Sequence, residues 1–139
     1  MPVIVGQTLW QFANRFSLGE PALDGGGNVI CKSGGGTIWI VAPASSEVSR
    51  SWYDRNDAVT TATNCTSATG WFVPTCDQLQ NPGYCCITYW DSYSSNMAYW
   101  SNTALSDRAA YKVYLTNGNV GTCGMPVSHP VRAFRCVCY

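Results

Sequence analysis

Short apolar runs separated by polar and glycine-rich stretches make up the chain, and none approaches the 18 or more residues of a membrane-spanning helix. "GGGTIWIVAP" is apolar on both faces, with Ile38 and Ile40 on one and Trp39 and Val41 on the other. That pattern predicts a strand covered on both sides. "YKVYLTNGNV" alternates Tyr111, Val113 and Leu115 against Lys112, Tyr114 and Thr116, then reaches Asn117-Gly118, a tight-turn dipeptide. "VRAFRCVCY" predicts a last strand with Arg132, Phe134, Cys136 and Cys138 on one face and Val131, Ala133, Arg135 and Val137 on the other. Helical signals are few. One helix is expected over residues 54–62, ended by Asn64. After a short strand in "GWFVPTC", Thr75 reads as the N-cap of a second helix with Asp77 and Gln78 in its first turn, stopped by Pro82-Gly83. The pattern is α+β: a small, mostly antiparallel, loop-rich sheet with one or two short helices.

Residues 1–33 read as an arm and residues 34–139 as the domain. The arm carries two apolar patches, "VIV" and "LWQFANRF", then the flexible joint "LDGGG". Its candidate attachment residues are Val3, Val5, Leu9, Trp10, Phe12 and Phe16. The last four show no clean period and fit a short helix or an irregular clasp. Such an aromatic-rich arm packs on its own domain or on a neighbour.

Charge narrows the choice of partner. Only 12% of the 139 residues are charged, against roughly 25% in typical soluble domains. Eight acids balance eight bases, so no field is available to hold a nucleic-acid backbone. The start of the chain lacks the basic region and cleavage site of a signal peptide. A skin rich in Ser, Thr, Asn, Gly and Tyr suits exposure outside a cell, and so does an even number of cysteines. Zinc would want paired Cys-x₂₋₄-Cys or Cys/His knuckles, and redox chemistry a Cys-x-x-Cys. The chain has instead adjacent Cys85-Cys86, Cys136-x-Cys138 and one histidine, His129. Cys31, Cys65, Cys76, Cys85, Cys86, Cys123, Cys136 and Cys138 are therefore expected in structural disulfides, with no metal and no cofactor.

Catalysis is poorly served. Ser128 precedes His129, but no acid partner is suggested by spacing. Asp54 and Asp57, one turn apart, fit an exposed helix start better than an acid/base pair. The chain reads as a non-enzyme, with no catalytic residue. Its best functional stretch is "WDSYSSNMAYWSNTALSDRAAY", because Tyr, Ser and Asn give binding surfaces rigid rings with adaptable hydrogen-bonding neighbours. Asp91, Tyr93, Asn96, Tyr99, Asn102 and Arg108 are the candidate ligand residues: Tyr93 or Tyr99 to stack on a sugar ring, Asp91 and Asn96 to bond its hydroxyls. Trp90, Trp100 and Tyr111 fit a core role, and Arg132 and Arg135 fit ties between strands or to a carboxylate.

Four stretches, in order, carry a family resemblance: "GGGTIWIVAP", "GWFVPTCDQL", "AYWSNTALSDRAAYKVYLTNGNV" and "VRAFRCV". Together they resemble the Lcl C-terminal-like domain, a C-type-lectin-like fold of bacterial surface and phage structural proteins. The likeness covers residues 34–138 and departs at the second helix, which the family runs longer than "CDQLQNPGY" allows. It implies a Cys65–Cys136 bridge closing a long loop, which would contribute about 4 kcal/mol. It also implies that the stretch from Trp90 to Tyr111 runs along the ligand side. "QNPGY" and "YWDSY" echo the calcium-dependent loops of true C-type lectins but supply too few carboxylates for a strong site. A related fold houses formylglycine-generating enzymes, whose catalytic cysteine arrangement has no match here. Because fold does not fix function, the class of role must come from elsewhere. A chain that starts at Met and ends on the family's last strand is expected to be complete. The expected role is a phage virion structural protein, either a capsid decoration subunit or a tail-fibre tip. Its partners would be other virion proteins, further copies of itself (a trimer) and a host surface glycan, without membrane insertion. The alternative is a secreted or surface lectin-like adhesin of bacteria.

Overall fold

The two-faced apolar run forms the middle strand of a three-stranded antiparallel sheet in the computed structural model, which describes residues 17–22, 25–33 and 35–138. That strand, β2 (Thr37–Val41), lies between β1 (Asn28–Lys32) and β8 (Phe134–Cys138). One sheet face puts Val29, Ile38 and Ile40 into a first core with Ala62 and Trp71. The other puts Ile30, Val41 and Phe134 into a second core with Leu79, Trp90 and Tyr99. Double coverage explains why β2 has no polar face. A register shift between Val29 and Cys31 lets the successive residues Ile30 and Cys31 both reach the second core.

β1 lies on the arm side of the boundary expected at residue 33. Residues before it run along its outer edge, where the Gly19 N–H donates to the Val29 carbonyl (2.8 Å) and the Val29 N–H to the Glu20 carbonyl (3.0 Å). Val3, Val5, Leu9, Trp10, Phe12 and Phe16 lie outside the described residues.

The first helix, α1 (Asp57–Cys65), starts later than expected, after a 3-10 turn at Trp52–Asp54. It buries Ala58 and Ala62, four residues apart, so its covered stripe is narrow. The second, α2 (Cys76–Gln78), has the expected cap. The Gln78 N–H donates to Thr75 Oγ1 (3.2 Å), and the Thr75 N–H donates to Gln78 Oε1 (2.9 Å). An irregular turn at Leu79–Tyr84, holding Pro82, follows at once.

β4 (Ala98–Ala104), β5 (Ala109–Tyr114) and β6 (Val120–Gly124) make a second antiparallel sheet. The expected turn at Asn117-Gly118 joins the last two. Gly118 sits at φ +77°, and a Cβ there would lie 2.6 Å from the Tyr84 ring. The Gly118 N–H donates to the Tyr114 carbonyl (2.7 Å), the Asn119 N–H to Asn117 Oδ1 (2.9 Å) and the Gln80 amide to the Gly118 carbonyl (3.1 Å). Tyr99, Val113 and Leu115 face the second core, whereas Trp100 and Ala110 face a third, with Ala58, Val73, Met125 and Val131.

The expected single last strand is broken. Its first part is β7 (His129–Val131), which pairs with β3 (Val48–Arg50) in a separate two-stranded ribbon, Arg50 opposite His129. The interruption falls at Arg132, whose side chain turns inward to polar partners instead of lying on a sheet face.

The expected disulfides are not there. Cys31, Cys65, Cys76, Cys85, Cys86, Cys123, Cys136 and Cys138 are all free, so the Cys65–Cys136 bridge is not formed. Three apolar cores hold the strands without crosslinks, and Cys31, Cys76, Cys86 and Cys123 line them as small half-buried hydrophobes. Burial, with Cys31 alongside, pushes the Cys86 thiol up to about 12.

Candidate functional site

The break between β7 and β8 delivers Arg132, only 1% exposed, to the meeting point of two loops. Its Nε donates to the Ala42 carbonyl (2.7 Å) and its Nη1 to Glu47 Oε1 (3.1 Å) and the Ser92 carbonyl (2.9 Å). Nη2 meets the Asp91 carboxylate, and the guanidinium lies 5.3 Å from the centre of the Trp90 ring. The acids are in turn occupied. Asp91 Oδ2 accepts from the Ala44 N–H (2.8 Å), Glu47 Oε2 accepts from Ser94 Oγ (2.8 Å), and the Tyr99 hydroxyl donates to Glu47 Oε1. Tyr99 also accepts from the Ser94 N–H (2.7 Å). Burial, then the bond to Glu47, pushes the Tyr99 hydroxyl up to about 12, so it stays protonated and keeps donating. A buried guanidinium is tolerated only when its donors meet acceptors, and here all three of its nitrogens do. The hub pins residues 43–47 against residues 90–94.

The pinned segment shows part of itself to solvent. Tyr93 is 37% exposed, its ring edge-on to Trp90 with centroids 6.3 Å apart. Asn96 and Met97 are exposed beside it in sequence. Trp90 itself is anchored by its indole N–H on the Gly83 carbonyl (3.1 Å). Tyr93 therefore stands on a fixed aromatic base.

The six candidate ligand residues do not form one surface. Asp91 is taken up by the hub, and Tyr99 is fully enclosed in the second core, so neither is available to a sugar as expected. Tyr93 and Asn96 share one loop. Asn102, three residues beyond Tyr99, lies on the other side of its strand, where Oδ1 accepts from Arg55 Nε (2.6 Å). That guanidinium stacks 3.5 Å from the centre of the Trp52 ring, and the Trp52 indole donates to the Ser101 carbonyl (2.9 Å). Arg108 sits in the turn between β4 and β5, where its N–H donates to Ser106 Oγ (3.2 Å). The core expectation holds for Trp90 and Trp100, while Tyr111 is half-buried.

Arg132 and Arg135 act as ties: Arg132 as above, and Arg135 by donating to the Gly26 carbonyl (3.2 Å) and lying over Trp71. Glu47 was not singled out by its sequence context, a lone acid 85 residues from Arg132 with no motif around it. Ser128 is exposed while His129 is buried against Trp100, so the two make no nucleophile–base pair. Asp57 pairs at the surface with Arg50 (2.9 Å). Among the described residues, no three His, Cys, Asp or Glu side chains are grouped to hold a metal ion, and no helix is long and apolar enough to cross a membrane. No protein-family model matches the chain, and no curated protein matches it.

Proposed function

We propose that the chain is a non-enzymatic binding domain of C-type-lectin-like type, serving as a phage virion structural protein: a capsid decoration subunit or a tail-fibre tip. The observation that carries this reading is the pinned loop. A buried hub fixes residues 90–94 and leaves the half-exposed Tyr93 ring on its Trp90 base, a pre-ordered anchor that loses little entropy on contact. The acids of the hub are fully engaged, which suits a structural role better than proton transfer. The family likeness of residues 34–138 adds the lectin-type fold and the virion setting. The arm would join the subunit to the particle or to sister copies.

A second reading, a bacterial surface adhesin that binds carbohydrate, is favoured by Tyr93, because an exposed ring on a rigid base is what stacks on a sugar face. A glycan array run with the full chain and with Tyr93→Ala tests both. Saturable binding lost in Tyr93→Ala supports a fibre tip or adhesin. No glycan binding together with stable oligomers, abolished by removing residues 1–16, supports a decoration subunit. A monomer that binds no glycan overturns the proposal.

A further inference from the structure

His129 is 9% exposed, and neither of its ring nitrogens has a hydrogen-bond partner. A neutral imidazole carries one N–H donor and one acceptor, so both go unmet. The ring opens β7 opposite Arg50 of β3 and stands edge-on to Trp100 of β4, centroids 4.9 Å apart at 86°. The Trp100 indole N–H is shared between the carbonyls of Arg50 (3.0 Å) and Val127 (3.2 Å), which flank the same end of the ribbon. The charge that acts on the ring is Lys112 of β5; Arg50, opposite in register, is neutralised by Asp57 of α1 (2.9 Å).

We infer that His129 makes the β3–β7 ribbon an acid-labile latch, closed while the ring is neutral and released when it takes up a proton. Protonation would add a second N–H donor and a full charge to a buried site where neither ring nitrogen has a hydrogen-bond partner and Lys112 already acts on the ring. Release would uncover Trp100 and Val131 and open the third core. Burial, and then Lys112, lower the proton affinity of His129 below its ordinary value. The unfolded chain therefore binds more protons, so the stability this site supports is complete above pH about 6.5 and falls as pH drops toward the folded-state value. Across that window the unfolding constant rises by up to about tenfold per pH unit.

The chain holds a single histidine, so its imidazole resonance in the intact protein can be followed by NMR from pH 8 to 5 without a variant. We expect it to titrate below the ordinary value of about 6.5. Urea unfolding read by tryptophan fluorescence should show the unfolding constant rising between pH 6.5 and 5.5, by up to about fivefold. In His129→Phe, which keeps a ring against Trp100, the rise should be under about twofold. A resonance titrating at or above the ordinary value in a folded spectrum would overturn the latch, as would a wild-type unfolding constant flat over that interval. If His129→Phe does not fold, the two wild-type measurements decide.

Discussion

Arg132 and His129 stand three residues apart, both deeply buried, and their surroundings are opposites. Around Arg132, two carboxylates and two backbone carbonyls receive the guanidinium. Around His129 are the Trp100 ring and Lys112, and neither ring nitrogen has a hydrogen-bond partner. Depth alone thus does not decide whether a basic group belongs inside; the partners it meets do. A guanidinium is charged at any ordinary pH, so the hub needs its acids permanently. An imidazole can be neutral, so the ribbon can do without acids, but only above a certain pH.

The largest effect should come from emptying the hub. Arg132→Ala leaves Glu47 and Asp91 facing each other without a cation and should cost about 3–5 kcal/mol in urea unfolding. Arg132→Lys should recover less than half of this, since one ammonium cannot reach both carboxylates and both carbonyls. A Lys variant as stable as wild type would remove the hub from the account. Next, Tyr99→Phe deletes the hydroxyl shared by Glu47 and Ser94 and should cost about 1–2 kcal/mol, read the same way. Smaller again, Arg55→Ala strips a half-exposed cation from Trp52 and Asn102 and should cost about 0.5–1 kcal/mol. A loss there equal to that of Arg132→Ala would mean that burial is not what separates the two arginines. The smallest change is at the ribbon. Lys112→Gln removes the base that acts on His129, so the midpoint of the histidine resonance should move up and the acid sensitivity should lessen, while burial still holds it below the ordinary value.

Local signals were readable where chemistry and period agreed. The two-faced run at Thr37–Val41, the cap at Thr75 and the turn at Asn117-Gly118 could each be read from a few adjacent residues. β1 escaped notice because "NVICK" follows three glycines and shows no alternation, and its partner lies beyond another glycine run. β3 and β7 were hidden by length, since three residues carry no period. Tyr99 departs from its expected ligand role because β4 is covered on both faces, so that a Tyr next to a Trp is core whichever way it points. The hub depends on Glu47, Asp91 and Arg132, brought together from far apart in the chain, and no window along the sequence contains that meeting. The cysteines misled for the opposite reason. An even count invites pairing, yet half of them serve as apolar filler.

The docked tip of the β5–β6 hairpin bears on how the protein ages. An Asn-Gly step is the dipeptide most prone to spontaneous loss of ammonia, which requires the glycine nitrogen to swing onto the asparagine side chain. Here that nitrogen is held by the Tyr114 carbonyl and the asparagine oxygen by the Asn119 N–H, while the Gln80 amide holds the Gly118 carbonyl. Deamidation at Asn117 in the folded protein should accordingly lag well behind that of the urea-unfolded chain, a difference that peptide mass spectrometry over weeks of storage would register.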